Sequence, residues 1–162
     1  MNILFVCTGN TCRSPMAEGL FKDMLKKNNI DNIRVSSAGI SVFPGEQANE
    51  KAIKALKEKG IDIRSHRARQ AIEEIDKADL ILAMALSHKK IIEDYLRFNK
   101  REKPPKVFTL KEFAAKITGE KMRDTDIDDP YGRDYVFYKK TRDEIEKVLL
   151  KILNNLDKLE EI

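Results

Sequence analysis

The hydrophobic positions along the chain change their spacing several times, and these changes predict alternating strands and helices. Two short runs, Ile3–Val6 and Leu80–Met84, are apolar without interruption, as expected of strands covered on both faces. Elsewhere apolar residues recur every three or four positions, which is typical of helices that bury one side. Strands that alternate with helices predict an α/β fold, with a mostly parallel sheet and helices on both of its faces.

Caps, glycines and prolines set the predicted boundaries. Four strands are predicted, at 3–6, 32–36, 80–84 and 106–108, with a further short extended piece at 61–64. Helices are predicted from a Ser14 cap with Pro15 in the first turn, over 49–59 with Gly60 as the stop, over 72–77, from a Ser87 cap to about Phe98, from Leu110, and over 134–159. The last helix is predicted to bury a face that includes Val136 and Ile145, and residues 118–133 are predicted to be irregular.

Composition limits the possible classes of protein. The 162 residues suit one domain, predicted over 1–162, with 41% hydrophobic and 36% charged residues. No apolar stretch reaches membrane-spanning length, and the net charge of +4 is too mild to indicate nucleic-acid binding. Only two cysteines occur, and their position does not suggest a secreted disulfide framework. With no signal sequence at the start, these features predict a cytoplasmic protein without membrane or nucleic-acid partners.

The segment after the first strand carries the candidate chemistry. Cys7 follows the apolar run directly, and Arg13 comes six positions later at the start of a predicted helix. Gly9 and Asn10, which tolerate positive φ, suit the bend of the loop between Cys7 and Arg13. A loop that ends on a helix N-terminus aims several N–H groups at an anion such as a phosphoryl group. The arginine can donate two hydrogen bonds to its oxygens, and the cysteine, as a thiolate, can attack its phosphorus. The alternative is an ordinary strand–turn–helix with a structural Cys7.

A second candidate group lies in the irregular stretch before the last helix. Asp129 is followed by Pro130, which restricts its backbone and can fix the direction of the carboxylate. We interpret Asp129 as a proton donor to the leaving group, mainly on the resemblance described next. For Asp126 and Asp128 we favour a structural role, capping the long helix. Tyr131 is placed to form a wall of the pocket mouth.

These residues resemble the low-molecular-weight protein-tyrosine phosphatases. The resemblance spans nearly the whole chain in the right order, and a phosphate loop with a distant Asp-Pro is highly specific. It implies a four-stranded parallel sheet flanked by helices on both faces, in a flavodoxin-like three-layer arrangement. The segments that carry it are Cys7 through Glu18, Ser36-Ser37-Ala38-Gly39, Ser65 through Gln70, Ala78 through Met84, and Asp129-Pro130.

The resemblance also implies a role for each residue of the phosphate loop, which comprises Thr8, Gly9, Asn10, Thr11, Cys12, Arg13 and Ser14. Cys7 is expected to become phosphocysteine, and Arg13 to bind the phosphoryl oxygens into the transition state. Ser14 is expected to donate to the Cys7 sulfur. Cys12 is expected to pair with Cys7 in a reversible disulfide that protects the nucleophile from over-oxidation.

The remaining expectations concern the loop's support and its proton donor. Asn10 is expected to hold the loop's shape, linked through Ser14 and Ser37 to His66. Asp129 is expected to protonate the leaving group and later to activate water. His88, at a helix start, is predicted to lie at the surface. No metal and no cofactor are expected, because the two histidines are far apart in the sequence and both cysteines are committed.

Thr11 is the residue most informative about substrate. Threonine here resembles the protein-arginine phosphatases of Gram-positive bacteria, whereas members that prefer phosphotyrosine tend to carry a larger aliphatic residue. A hydroxyl can orient a polar group beside a guanidinium, and an ionised Asp129 can pair with it. The prediction is therefore phosphoarginine on proteins, with phosphotyrosine as the alternative. Arsenate reduction is disfavoured because no cysteine follows Cys12, and a non-catalytic phosphate-binding module because nucleophile and acid are both present.

Overall fold

Four parallel strands form one sheet at the centre of the molecule. The computed structural model describes residues 1–161, with only the backbone of residues 160 and 161, so the last residue of the predicted domain lies outside it. The strand order is β2-β1-β3-β4, and every neighbouring pair is parallel. The strands are β1 (Asn2–Cys7), β2 (Arg34–Gly39), β3 (Leu80–Ala83) and β4 (Lys106–Thr109). The predicted four-stranded parallel sheet is confirmed.

In the part of the chain that the structure describes, six α-helices surround the sheet. In three of them, the side chain of the residue just before the helix caps the first turn. Asn49 caps α2, Thr109 and Glu112 form a reciprocal capping box on α5, and Asp134 caps α6. Within residues 1–161, no helix combines the length and apolar character needed to cross a membrane. The helices are α1 (Arg13–Lys27), α2 (Glu50–Lys57), α3 (Ala71–Glu74), α4 (Leu86–Phe98), α5 (Leu110–Thr118) and α6 (Tyr135–Leu153).

Alternate residues of the central strands enter two separate cores, which explains their uninterrupted apolar sequence. Ile3 and Phe5 of β1 point to a large core formed with α1, α2, α5 and α6. Leu4 and Val6 point to a smaller core formed with α3 and α4. Each strand side chain is therefore removed from water whichever face it occupies, and the three-layer arrangement is confirmed.

Several predicted boundaries were wrong for identifiable reasons. β2 ends at Gly39 rather than residue 36, because the polar Ser37 is buried and its hydroxyl accepts a hydrogen bond from Asn10 in the loop after β1. α6 ends at Leu153, and residues 156–161 form a separate 3-10 turn. Val136 is 54% exposed, and Tyr138 takes its place in the core because it shares a helix face with Ile145. Residues 61–64 have no regular structure.

Two predicted helix caps were also wrong. α1 begins at Arg13, and the Ser14 hydroxyl does not cap it but lies beside the Cys7 sulfur. α4 begins at Leu86, whose backbone N–H is satisfied by the Asp126 carboxylate at 2.9 Å, so the predicted Ser87 cap is absent. Asp126 therefore caps α4 from forty residues away, and the expected cap of the long helix is supplied by Asp134 instead.

Candidate active site

The loop at residues 8–13 joins the end of β1 to the start of α1, at the carboxyl edge of the sheet. Carbonyl groups of this loop accept hydrogen bonds from neighbouring segments. The Ser41 N–H donates to the Thr8 carbonyl oxygen at 3.0 Å, and the Asn49 N–H donates to the Thr11 carbonyl oxygen at 2.9 Å. Among residues 1–161, no protein acceptor meets the backbone N–H groups of residues 8–13. Successive unpaired N–H groups at a helix N-terminus form a concavity that binds anions.

Asn10 holds the bend of this loop. Of the two residues expected to tolerate positive φ, it is Asn10 that adopts it, with φ 56°. Its amide nitrogen donates to the Ser14 hydroxyl at 2.8 Å and to the Ser37 hydroxyl at 3.0 Å. Its amide oxygen accepts the backbone N–H of Arg69 at 3.1 Å. With the side chain fully buried and each hydrogen bond made, the loop is fixed to α1, β2 and the segment before α3.

His66 supports the same bend from outside. Its Nε2 lies 2.7 Å from the carbonyl oxygen of Asn10, and since a carbonyl only accepts, Nε2 carries the proton. Burial lowers the pKa of His66, which keeps the ring neutral near pH 7. The contact to Asn10 is direct, whereas Ser37 donates at 2.5 Å to Glu18, a carboxylate that also lies 3.9 Å from His66. Sequence reasoning quoted Glu18 within a motif but assigned it no role.

Gly39 permits the close approach of β2 to the loop. A Cβ atom at this position would lie 2.6 Å from the Thr8 carbonyl oxygen and 3.0 Å from the Asn10 nitrogen. Both contacts are to backbone, which cannot move without displacing the loop. Any larger residue at this position would therefore displace the anion-binding loop. This steric constraint explains why the Ser-Ser-Ala-Gly segment ends in glycine.

Cys7 lies at the floor of a cavity of about 210 Å³. Its sulfur is 2.9 Å from the hydroxyl oxygen of Ser14. The same cavity is lined by Thr8, Gly9, Thr11, Cys12, Arg13 and Asp129. Although Cys7 is buried, its sulfur therefore borders a cleft rather than the core alone. This placement favours the nucleophile interpretation over that of a structural cysteine.

The Arg13 guanidinium is fixed at the side of the cavity. Nη1 donates to the Ile127 carbonyl at 2.9 Å, and Nη2 lies 3.4 Å from Asp129 Oδ2. Arg13 is buried, whereas the Asp129 side chain is about half exposed. The loop that carries Asp129 is tied to the sheet, because Ile127 N–H donates to the Met84 carbonyl at 2.7 Å. The structure thus brings Asp129, which is distant in sequence, to the cavity that Cys7 and Arg13 line.

His88 was predicted to lie at the surface, and this prediction was wrong. Its side chain is only 5% exposed, and Nε2 lies 2.8 Å from the Thr8 hydroxyl oxygen. The third residue of α4 faces back toward the loop, which one sequence cannot reveal because it depends on how α4 packs. Burial, and secondarily the Arg13 charge, lowers the pKa of His88 to about 4, so the ring is neutral at pH 7.

Exposed side chains surround the mouth of the cavity. Tyr131 is 72% exposed and occupies the predicted wall, and Phe43, 82% exposed, also lines the cavity. Glu46 adds a carboxylate to the lining. Sequence reasoning missed Phe43 and Glu46. The available signal was an aromatic residue directly before Pro44-Gly45, since a turn at a strand's carboxyl end places such a side chain in solvent.

Cys12 lies on the core side of the loop. Its sulfur is 3.4 Å from the Tyr138 hydroxyl, and burial raises its pKa above the ordinary value. Neither cysteine is in a disulfide in this structure. Among the described residues, no cluster of three side chains suited to metal binding is present. A larger cavity of about 680 Å³ between α5 and α6 is lined by ion-paired residues such as Lys111 and Glu144, far from the anion loop in sequence.

A cysteine at the base of an amide-lined anion loop, with an arginine at the loop's end, on a four-stranded parallel sheet, defines a cysteine-based phosphatase. The chain belongs to the low molecular weight phosphotyrosine protein phosphatase family, whose model matches residues 2–161. The resemblance noted in the sequence is therefore confirmed.

Relatives with established names are similar over nearly the whole chain. The protein-arginine-phosphatase of Bacillus subtilis (strain 168) is 42% identical over 158 residues, covering 98% of each chain. The low molecular weight protein-tyrosine-phosphatase Ptp of Acinetobacter johnsonii is 40% identical over 141 residues, covering 86% of this chain and 87% of its own. The solved structure of YwlE arginine phosphatase, a cysteine-to-serine mutant with a phosphorylated active-site serine, has a TM-score of 0.84 at 41% identity, covering 99% of both chains.

Proposed function

We propose that this protein removes phosphoryl groups from arginine residues of proteins through a phosphocysteine intermediate. The observation that carries the proposal is that Cys7 and Arg13 line one small cavity, at a loop whose backbone N–H groups have no protein acceptor among residues 1–161. A dianionic phosphoryl group held there has its phosphorus in line with a sulfur nucleophile. The phosphorylated serine of the YwlE mutant supports a covalent intermediate at the nucleophile position in the family.

In the first step the Cys7 thiolate attacks phosphorus and the bond to the leaving group breaks. The Ser14 hydroxyl, 2.9 Å from the sulfur, donates to the thiolate before attack and stabilises it again as a leaving group. The Arg13 fork and the loop amides neutralise charge on the three phosphoryl oxygens in the transition state. Because Asn10, Ser37 and His66 hold the loop rigidly, these donors need no reorganisation during the reaction.

Asp129 supplies the proton that the leaving group requires. A departing guanidine nitrogen or phenol oxygen accepts this proton as its bond to phosphorus breaks. The resulting carboxylate then removes a proton from water, whose oxygen attacks phosphocysteine and releases inorganic phosphate with the thiolate. The half-exposed Asp129 lines the same cavity as the buried Cys7, which supports its role as the donor to a leaving group that departs toward solvent.

The charge of the cavity mouth supports phosphoarginine as the substrate. Glu46 and Asp129 both line the cavity, and within residues 1–161 no cation forms an ion pair with Glu46. A free carboxylate beside an anion site repels an anionic substrate unless the substrate also carries a cation, which a guanidinium supplies. Thr11 adds a hydroxyl to the same wall and leaves space that a larger aliphatic side chain would fill.

Phosphotyrosine is the alternative, and one feature of the cavity mouth is compatible with it. Phe43 and Tyr131 present two exposed aromatic rings at the cavity mouth, where a phenol ring could stack. Aromatic faces also hold guanidinium groups, so these rings suit either substrate. Identity separates the two names only slightly, at 42% for the protein-arginine-phosphatase of Bacillus subtilis and 40% for the protein-tyrosine-phosphatase of Acinetobacter johnsonii.

A comparison of kcat/KM on matched peptides tests the proposal. Peptides that differ only in phosphoarginine or phosphotyrosine at one position should be hydrolysed with a clear preference for phosphoarginine. Equal values, or a preference for phosphotyrosine, would establish the alternative. Cys7→Ser should abolish turnover of both peptides while inorganic phosphate still binds, and sustained turnover by this variant would refute the phosphocysteine mechanism.

The remaining parts of the proposal concern the setting of the enzyme. Residues 1–162 act as a single phosphatase domain in the cytoplasm, where two reduced cysteines can persist. Phosphorylated proteins are the substrates, inorganic phosphate and similar oxyanions occupy the loop, and no nucleic acid or membrane takes part. Cys12 serves as the redox partner of Cys7, since both side chains line the same small cavity.

A further inference from the structure

His88 has no part in the mechanism above, yet it is buried directly behind the phosphate loop. Its ring is held on α4, and Nε2 contacts the Thr8 hydroxyl oxygen at 2.8 Å. The Thr8 oxygen in turn lies 3.4 Å from Nη2 of Arg13. The side chains therefore form a short chain of contacts, from the helix through the threonine to the guanidinium: His88, Thr8 and Arg13.

The unpartnered ring nitrogen indicates which tautomer is present. Nδ1 of His88 is buried and has no hydrogen-bond partner among the described residues. An unpaired buried N–H group is rarer than an unpaired buried acceptor, so the proton belongs on Nε2. Nε2–H then donates to the Thr8 oxygen, which also accepts from Arg13. Both lone pairs of the hydroxyl are used, and the position of the oxygen is fixed by two donors.

Arg13 needs this support because its Nη2 cannot keep the ion pair with Asp129 throughout the reaction. Nη2 is shared between Thr8 and Asp129, and Asp129 must be protonated, and therefore uncharged, before it can act as an acid. At that stage Nη1 keeps its bond to the Ile127 carbonyl, and Nη2 keeps only Thr8. We propose that His88 is a positioning residue, which fixes Arg13 for phosphoryl binding through the Thr8 hydroxyl.

The charges around His88 are consistent with a ring that stays neutral during the reaction. Arg13 faces it from α1, and Asp126 and Asp129 face it from the segment before α6. A protonated ring would place a second cation next to Arg13, and its Nδ1 would become a buried donor without an acceptor. Because His88 does not line the cavity, it acts through Thr8 rather than on the substrate.

The test uses four single variants and one double variant, with para-nitrophenyl phosphate as substrate and inorganic phosphate as competitive inhibitor. His88→Leu removes the donor, Thr8→Val removes the hydroxyl at nearly constant shape, and His88→Gln restores an amide donor. Each of the first two should lower kcat/KM and weaken phosphate inhibition by roughly tenfold, and the double variant should lose no more than either. His88→Gln should recover most of both quantities, and the exposed neighbour Ser87→Ala should match the wild type.

If the losses in kcat/KM of the two single variants multiply in the double variant, the inference is overturned. It is also overturned if phosphate inhibits Thr8→Val as strongly as the wild type. A merely structural histidine would lower the melting temperature without weakening phosphate inhibition, and that result also contradicts the proposal. If His88→Leu does not fold, Thr8→Val and His88→Gln still decide the question. The inference rests on the proposed function, in which Arg13 is the phosphoryl-binding cation. Sustained turnover by Cys7→Ser would refute the phosphocysteine mechanism, whereas wild-type phosphate inhibition in Thr8→Val would overturn only the role of His88.

Discussion

Asp129 Oδ2 lies 3.4 Å from Nη2 of Arg13, so the proposed proton donor and the proposed phosphoryl-binding cation form an ion pair across the cavity mouth. An incoming phosphoryl group offers Arg13 a stronger, bidentate partner. The Asp129 carboxyl group is then released from the guanidinium, and in its protonated form it can give its proton to the leaving group. The ion pair thus holds the donor near its working position, since the loop behind it is anchored through Ile127.

Replacing the proton donor should slow the reaction according to the leaving group. For Asp129→Asn we expect kcat on peptide substrates to fall by about 10²–10⁴, and by much less on para-nitrophenyl phosphate, whose leaving group needs little protonation. Steady-state kinetics on both substrates measures this difference. Asp128→Asn, an exposed neighbour, is the matched control and should retain wild-type rates. An equal loss on both substrates would show that Asp129 does not protonate the leaving group.

Enlarging the wall at Thr11 should change the substrate preference. Thr11→Ile fills the space beside the guanidinium with methyl groups, which removes a polar contact and adds an apolar surface for a ring. We expect kcat/KM for phosphoarginine peptides to fall by roughly tenfold or more, while phosphotyrosine peptides are hydrolysed as well as or better than before. Thr11→Ser retains the hydroxyl and should keep the original preference. Equal losses on both peptides would contradict the wall argument.

Neutralising Glu46 tests whether the mouth carboxylate recognises the guanidinium. Glu46→Gln should lower kcat/KM for phosphoarginine peptides several-fold, roughly the worth of one exposed ion pair, and should leave or slightly improve phosphotyrosine hydrolysis. The difference should shrink at high salt, because the interaction is electrostatic and partly exposed. An equal loss on both peptides would show that Glu46 supports the loop rather than recognising the substrate.

The sequence was informative where chemistry and local geometry coincide, and uninformative where packing decides. Cys7 and Arg13 could be predicted because the loop between them needs a strand before it, residues tolerant of positive φ within it and a helix after it. His88 could not, because its burial depends on the angle at which α4 packs against the sheet. The cap of α4 by Asp126 escaped prediction for the same reason, since the two residues are forty positions apart.

The same distinction explains the pocket mouth and the last helix. Tyr131 was predicted because it follows Asp-Pro, whereas Phe43 and Glu46 belong to a loop whose direction only the fold reveals. For α6, the helical period and the buried Ile145 were predicted correctly, but Val136 was wrongly assigned to the core in place of Tyr138. The choice between them depends on Cys12, whose sulfur contacts the Tyr138 hydroxyl.

Mild peroxide should inactivate the enzyme reversibly. The Cys7 thiolate is oxidised to sulfenic acid as peroxide is reduced, and the Cys12 thiolate then attacks that sulfur and displaces hydroxide to form the disulfide. Because burial raises the pKa of Cys12, disulfide formation should become faster as pH rises. Thiol reductant should restore wild-type activity, whereas Cys12→Ala should be inactivated permanently. Failure of reductant to restore the oxidised wild type would exclude the protective disulfide.

His88 should make the folded protein less stable as the solution becomes mildly acidic. Its pKa is about 4 in the folded protein, chiefly because of burial, against about 6.5 in an unfolded chain. Above pH 6.5 both states leave the ring neutral; as pH falls toward 4, the unfolded chain gains a proton that the folded protein excludes, which costs up to about 3 kcal/mol. Urea unfolding at pH 7.5 and 5 measures this, and the wild type should lose about 2 kcal/mol more than His88→Gln, in which nothing titrates at this position. His66 is present in both proteins, so its titration cancels in the comparison. Identical pH dependence of the two proteins would mean that the folded structure accepts a charged ring beside Arg13.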